Sequence, residues 1–278
     1  MSGHAHQTHL FLSPHPDDVA LSCGGHVAHL ELRGEHVVIA TCYGGAGPLP
    51  RLTDFQREAL GFVDHSALMS PAAIMEERAR EDRDYAASVN AELIHMDLPD
   101  AVFRGYEGED ELMGPPRADD PAPAAALAEL LHSVQPHVVY VPLSIGGHID
   151  HRQVFRAGIS ELAGGRAGSF SDRACRLTFY EDFPYSWWAD FRNLVQLRPD
   201  QAELLTGFEL TPEYVVLDEL IAHRKLKGIR KYASQVGRLF GVEAEMEAAL
   251  RQRAQIVGEA GGFDCAERYW RAERRHGR

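Results

Sequence analysis

The sequence predicts an α/β fold in which a mostly parallel sheet is flanked by helices. From the start of the chain to about residue 165, apolar runs alternate with longer amphipathic stretches, which is the pattern of βα units. A chain of 278 residues with 45% hydrophobic composition can also bury one large core. We therefore expect one domain over residues 1–278, with a core at about 8–165 and a C-terminal portion, 166–278, that completes or caps the sheet.

The first elements follow from their local text. "THLFLS" (8–13) is the first strand, and "CGGHVAHLELRG" (23–34) is a helix that ends at Gly34, a glycine suited to the position just after a helix. "EHVVIATCY" (35–43) is the second strand. The next elements are predicted in order as a helix over 74–89, a strand over 91–98, a helix over 121–136 and a strand over 137–144.

The pattern changes after Gly164. We expect a surface loop over 161–175, a strand over 176–182, and an extended piece leading into a helix over 213–234. Two connections, 44–73 and 99–121, are long for an α/β domain. Two interpretations of these connections stay open: binding loops or lids, and plain exposed linkers.

Charge and cysteine usage exclude several classes. A formal net charge of −13 argues against a nucleic-acid binder, and the Arg-rich C-terminal end is interleaved with Glu as in a solvated helix face. The four cysteines form no CxxC pair, so neither a disulfide framework nor a zinc knuckle is expected. With no apolar window near 20 residues and no leader pattern, we expect a cytoplasmic protein without a membrane span. Homo-oligomerisation is left open.

The stretch "SPHPDD" (13–18) ends the first strand with an imidazole and two adjacent carboxylates. Such neighbours repel one another and are costly to desolvate, so they need a cation, a shared proton or open water. His15 and Asp18 are three residues apart and can turn toward one point, which would leave Asp17 as a free base beside a ligand pair. The alternative is that Asp17 or Asp18 is an ordinary helix N-cap.

A second polar cluster, "GGHIDH" (146–151), follows the fourth strand. Ligands bind outside the carboxyl ends of parallel strands, so this cluster should meet "SPHPDD" in one crevice. His148 and His151 are three apart and flank Asp150. Imidazole and carboxylate ligands suit Zn²⁺, and three protein ligands with one open position is the catalytic form of such a site.

These two motifs, in this order, resemble the PIG-L/LmbE family of zinc-dependent N-deacetylases, over roughly residues 8 to 160. The resemblance implies a Rossmann-like fold and activity mostly on N-acetylglucosaminyl groups. It implies one zinc ion per chain, held by His15, Asp18 and His151. It further implies that Asp17 is the general base on the zinc-bound water.

The resemblance also implies roles for three other residues. His148 would stabilise the oxyanion or protonate the leaving amine, and Asp150 would orient a histidine. "RARE" (78–81) matches the family's Arg-x-x-Glu element, so Arg78 is a candidate for substrate hydroxyl contacts, with a helix-surface ion pair as the alternative.

The chemistry of amide hydrolysis fits the same residues. It requires a nucleophile at neutral pH, stabilisation of the tetrahedral oxygen and a proton for the amine. We therefore expect N-deacetylation of an N-acetylhexosamine small molecule or conjugate. Two alternatives stay open: a metal-dependent amidase that cleaves a larger conjugate, and a non-catalytic metal- or sugar-binding relative. The aromatic run "YEDFPYSWW" (180–188) could stack on a sugar or belong to the core.

Overall fold

The strands form one seven-stranded sheet in the order β3-β2-β1-β4-β5-β7-β6. A computed structural model describes residues 6–48, 51–61, 69–120, 123–163 and 175–275. The first five strands in this order are parallel, and β7 runs antiparallel to both β5 and β6. The strands are β1 (Thr8–Ser13), β2 (His36–Thr41), β3 (Glu92–His95), β4 (Val138–Pro142), β5 (Arg176–Tyr180), β6 (Phe208–Val216) and β7 (Ala266–Arg274).

Helices cover both faces of the sheet, as right-handed βα crossovers require. They are α1 (Asp18–Leu32), α2 (Asp54–Ala59), α3 (Pro71–Ser88), α4 (Glu109–Leu112), α5 (Ala124–Val134), α6 (Ile149–Ala163), α7 (Tyr185–Trp188), α8 (Pro199–Leu204), α9 (Glu219–Ile229), α10 (Ala233–Phe240) and α11 (Glu243–Gly261). Short 3₁₀ turns lie at Ala101–Phe103 and Leu194–Gln196.

The centre of the sheet is buried on both faces. Along β1, Leu10 and Leu12 pack into one apolar cluster with residues of α5 and α6, whereas Phe11 packs into another with residues of α1. Alternation of side chains along a strand produces this division. Because β1 and β4 are parallel neighbours, their carboxyl ends, and the two motifs that follow them, lie side by side.

The predicted α/β fold with a mostly parallel sheet is confirmed. The C-terminal portion adds one further parallel strand, β5, and the antiparallel pair β6 and β7. The first helix begins at Asp18, five residues earlier than predicted, because the turn after "SPHPDD" leads directly into it. Gly34 follows the end of this helix with φ of +70°, as expected.

The two long connections contain structure of their own. The connection 44–73 includes α2 and the start of α3, and 99–121 includes a 3₁₀ turn and α4. Most of the predicted surface loop over 161–175 lies outside the described residues. All four cysteines are free thiols, as expected, and two of them, Cys23 and Cys42, are buried. Within the described ranges, no helix is both long enough and apolar enough to cross a membrane.

Candidate metal centre and active site

The loop after β1 is fixed by hydrogen bonds within its own sequence. The Ser13 hydroxyl donates to the carbonyl of His15 at 2.7 Å, and the backbone N–H of His15 donates to Oδ2 of Asp18 at 2.8 Å. Asp17 occupies the position before α1 with φ of 102°, and its side chain makes no capping hydrogen bond. The N-cap alternative is therefore wrong for Asp17, whose carboxylate is left for another use.

The loop after β4 turns sharply before its polar residues begin. Gly146 and Gly147 both have positive φ, which glycine adopts without steric penalty. Helix α6 then begins at Ile149, so that His148 lies just before its first turn and Asp150 and His151 lie within it. This places the second motif at the sheet edge where the first one lies.

The three predicted ligands converge. Oδ2 of Asp18 lies 3.3 Å from Nδ1 of His15 and 3.2 Å from Nε2 of His151. Ring nitrogens of His15, His148 and His151 lie within 4.8 Å of one another, and all three side chains are buried. The two motifs, about 130 residues apart in the sequence, thus form one cluster.

His151 shows the arrangement of a metal ligand. Its Nδ1 lies 2.6 Å from Oδ1 of Asp182, whereas its Nε2 is buried and has no hydrogen-bond partner among the described residues. A ligating histidine usually donates its other ring N–H to a carboxylate in this way. Nitrogen and oxygen donors in such a set fit a metal ion, with His15, Asp18 and His151 able to hold it and His148 beside it.

A second set of acidic and imidazole groups, His15, Asp100 and Asp150, also lies within 4.8 Å. Here Asp150 is already neutralised: it accepts from Nη2 of Arg104 at 2.5 Å, from the N–H of Ala101 at 3.0 Å, and lies 2.9 Å from Nε2 of His15. A cation beside Asp100 and Asp150 would be repelled by the nearby guanidinium groups. The set that contains Asp18 and His151 therefore suits a metal ion better. The histidine that the Asp150 side chain contacts is therefore His15.

Asp17 lies in an environment suited to a base. Burial, together with the negative charge of Asp18, raises the pKa of Asp17 to about 7. The nearest cation is Arg78, whose Nη2 is 3.9 Å from Oδ1 of Asp17. A carboxylate with a pKa near the working pH can both accept and return a proton.

The groups around Asp18 form a strongly coupled set of charges. Although burial opposes it, the charge of His151 and the hydrogen bond from His15 hold the pKa of Asp18 far below its usual range. Burial likewise opposes the charged form of His15, but hydrogen bonds to Asp150 and Asp18 raise its pKa to about 9. The Asp18 carboxylate is thus kept ionised at neutral pH.

His148 differs from the other two histidines. Burial, and then the positive charge of His15, lower the pKa of His148 well below its usual value. The His148 ring packs edge to face against the His15 ring, with their centroids 4.8 Å apart. His148 is therefore neutral in this structure and has an N–H to donate.

Arg78 is not a surface residue. It is 4% exposed, its Nη1 lies 3.6 Å from Oδ2 of Asp100, and its Nε is buried without a partner in the described part of the chain. The alternative of a helix-surface ion pair is therefore wrong. Arg78 lies beside Asp17 with donor capacity left for another molecule.

Sequence reasoning missed three residues of this cluster: Asp100, Arg104 and Asp182. Asp182 follows the carboxyl end of β5, so the strand-end argument used for the other two loops could have found it. Asp100 and Arg104 come from the connection 99–121, where no local pattern indicated a role. In the aromatic run, Tyr180 is buried in the core, whereas the Tyr185 ring packs 5.3 Å from that of His151. The core alternative thus holds for Tyr180, and sugar stacking by other residues of the run stays a prediction.

Comparison with known proteins gives matches over most of the chain. A model of the PIG-L family, described as GlcNAc-PI de-N-acetylase, matches residues 10–161. The 2′-N-acetylparomamine deacetylase of Streptomyces fradiae is 31% identical over 229 residues, covering 81% of this chain and 72% of the relative. The enzyme of the same name from Niallia circulans is 26% identical over 281 residues, covering 94% and 89%.

A solved structure has the same fold. The crystal structure of the deacetylase of the antimicrobial A40926 pseudoaglycone superimposes with a TM-score of 0.73 at 23% identity, covering 99% of this chain and 100% of that one. The match spans the C-terminal portion as well as the motif-bearing part.

Proposed function

Because this chain belongs to the PIG-L family of de-N-acetylases, we propose that it hydrolyses the acetamide of an N-acetylglucosamine-type sugar carried by a small molecule. Membership rests on the family match over 10–161 and on the relative that is 31% identical over 229 residues. Two relatives that cover most of the chain are named as deacetylases of an acetylated amino sugar, paromamine. An N-acetylhexosamine unit within a pseudo-oligosaccharide is therefore the substrate class we propose.

The observation that carries this proposal is the state of His151. Its Nε2 is buried without a hydrogen-bond partner, 3.2 Å from Asp18, while Asp182 holds its other nitrogen. A buried polar atom left unpaired is costly, and a metal ion is the partner that this donor set fits. We propose one Zn²⁺ per chain, held by His15, Asp18 and His151.

A bound Zn²⁺ would supply Lewis-acid polarisation of the amide carbonyl and a lowered pKa for a water molecule. Asp17 would accept the proton of the attacking water, since its pKa of about 7 lets it act as a base at neutral pH. It could return that proton to the departing amine. Neutral His148 would donate its N–H to the developing oxyanion, because its lowered pKa disfavours the imidazolium that proton transfer to the amine requires.

Two further groups would act on the bound substrate or on the cluster itself. Arg78 would donate to sugar hydroxyls, because its buried Nε has no partner within the described residues. Asp150 would hold His15 in orientation through the 2.9 Å contact to Nε2. Neither role requires Asp150 or Arg78 to change protonation state.

The test is a product assay on acetylated sugars with the zinc-loaded protein. Acetate and free amine would be measured for 2′-N-acetylparomamine, for 1D-myo-inositol 2-acetamido-2-deoxy-α-D-glucopyranoside and for N-acetylglucosamine. We expect acetate and amine in equal amounts from at least one of them, and their loss in Asp17→Asn. Release of amine with an acid other than acetate from a larger conjugate would instead favour the amidase alternative.

A further inference from the structure

A cavity lies between helices α9 and α11 and above strand β7. Its volume is about 520 Å³, within the range of cavities that bind small molecules. None of the residues proposed above as metal ligands, base or substrate contacts lines it. The function proposed for the cluster around His151 therefore does not account for this cavity.

The floor of the cavity contains more buried positive than negative charge. Glu181 accepts from Nη2 of Arg253 at 2.5 Å and from Nε of Arg268 at 2.6 Å, so that two guanidinium groups share one carboxylate. Lys225 and Glu267 form a separate, neutral pair at 2.6 Å. These five residues are all more than 90% buried, and together they carry one surplus positive charge.

Arg268 has donors to spare. Its Nε donates to Glu181, whereas its Nη atoms make no hydrogen bond within the described parts of the chain and are not sealed from solvent. The side chain is 6% exposed and lines the cavity, with its guanidinium 4.9 Å from the centroid of the Trp270 ring. A planar pair of guanidinium N–H groups fits a carboxylate, and burial strengthens such a pairing.

Three acidic residues also line the mouth. Asp218 accepts from the N–H of Ile221 at the start of α9, and Glu247 accepts from Arg230. Asp218 and Glu219 are exposed, so water screens their charges more strongly than those of the buried groups on the floor. The walls are largely apolar and come from several elements: Leu21, Phe183, Leu217, Leu226, Leu250 and Val257.

We propose that this cavity is a binding site for an organic carboxylate with an apolar body. The carboxylate would pair with the free Nη groups of Arg268, and the apolar body would lie between α9 and α11. This pairing would neutralise the surplus charge, and the apolar walls would exclude water from it.

The test uses isothermal titration of the full-length protein with octanoate, and with octan-1-ol as the uncharged probe. We expect saturable binding of one octanoate per chain and binding of octan-1-ol weaker by about tenfold or more, since the alcohol cannot form the charged hydrogen bonds to Arg268. Equal affinity for the two probes, or no octanoate binding, would overturn the proposal.

Two filling variants locate the binding. Ala222 and Ala254 line the cavity from α9 and α11, so Ala254→Phe should weaken octanoate binding by about tenfold or more. Ala222→Phe should do the same from the facing helix, should one variant fold poorly. Ala248→Phe is the control, because Ala248 is exposed on α11 and does not line the cavity. Octanoate binding that survives both filling variants would contradict the assignment.

Discussion

Oδ1 of Asp182 lies 2.6 Å from Nδ1 of His151, and both side chains are 1% exposed. This contact fixes the imidazole ring so that its Nε2 turns toward Asp18. The backbone N–H of Ile145 donates to the other oxygen of Asp182 at 3.0 Å, which ties the same carboxylate to the loop after β4. Asp182 thus joins the end of β5 to His151, a proposed metal ligand.

Replacing Asp182 should weaken metal binding without removing a ligand. For Asp182→Ala we expect a loss in Zn²⁺ affinity of about 10- to 100-fold, because the His151 ring loses its orienting partner. Asp182→Asn should recover part of the loss, since its amide oxygen can still accept from Nδ1. Competition with a chelator measures the affinity. Asp200→Asn is the control, as Asp200 is half exposed and pairs with Arg152; an equal loss there would contradict the prediction.

Two variants should distinguish the proposed metal ligand His15 from the proposed base Asp17. His15→Ala should lose both bound zinc and activity, because it removes a donor atom from the cluster. Asp17→Asn should keep the zinc but lose activity by about 10²- to 10⁴-fold, the range for removing a general base. Zinc content by atomic emission and acetate release would be measured on the same samples. Equal loss of metal in the two variants would mean that Asp17 is a ligand rather than the base.

The mostly parallel sheet and the meeting of the two motifs could be predicted from the sequence. Apolar runs such as "THLFLS" and "HVVYVPLS" mark buried parallel strands, and their carboxyl ends share one edge of the sheet. The local sequence pattern and the topology of parallel sheets therefore predict the convergence of His15, Asp18 and His151.

The contact made by Arg104 and the backbone conformation of Asp17 could not be predicted from the sequence pattern. Arg104 directly follows the 3₁₀ turn in the connection 99–121. Its contact with Asp150 arises from tertiary packing. The positive φ of Asp17 likewise turns its carboxylate away from the helix, against the usual capping preference of aspartate. Both departures lie at the candidate site, where local preferences are often overridden.

Removing Arg104 should leave Asp150 with an uncompensated buried charge. Asp150 is fully buried, and Arg104 donates to it at 2.5 Å while also pairing with Asp120 at 2.6 Å. We expect Arg104→Met to lower the free energy of unfolding by about 3 kcal/mol, the usual scale for breaking a buried ion pair. Urea unfolding measures this. Adding Asp150→Asn should restore part of the stability, and a strictly additive double variant would contradict the pairing.

Stability should fall in mild acid because of two histidines away from the candidate site, His9, which is buried, and His26, which is half-buried. Burial lowers the pKa of His9 to about 4 and that of His26 to about 3, and both rings contact the Tyr140 hydroxyl, at 3.0 and 2.9 Å. From pH 6.5 down to the folded pKa, the unfolded chain binds more protons, so stability is lost as pH falls. We expect about 1 to 2 kcal/mol per histidine between pH 7 and pH 5.

A histidine variant tests that assignment. His26→Gln should show a shallower fall in the free energy of unfolding between pH 7 and pH 5, whatever its stability at pH 7. The exposed His36 provides the matched control as His36→Gln. An unchanged pH slope in His26→Gln would exclude His26 as a source of the acid lability.

The glycine pair before His148 should be required for the geometry of the second motif. Gly147 has φ of +92°, and a Cβ built there would overlap the guanidinium of Arg198; at Gly146, with φ of +83°, it would lie 2.5 Å from Cδ1 of Tyr185. Gly147→Ala must therefore strain the backbone or displace Arg198, and either change moves His148. We expect deacetylation to fall by at least about tenfold, since an ångström-scale misplacement can cost up to about 100-fold. Zinc content should fall less than activity, because His15 and Asp18 lie on another loop and Asp182 still holds His151. Gly207→Ala is the control, because a Cβ there meets nothing within 4 Å. Wild-type activity in Gly147→Ala would show that the loop tolerates a shift of His148, and would remove His148 from the proposed mechanism.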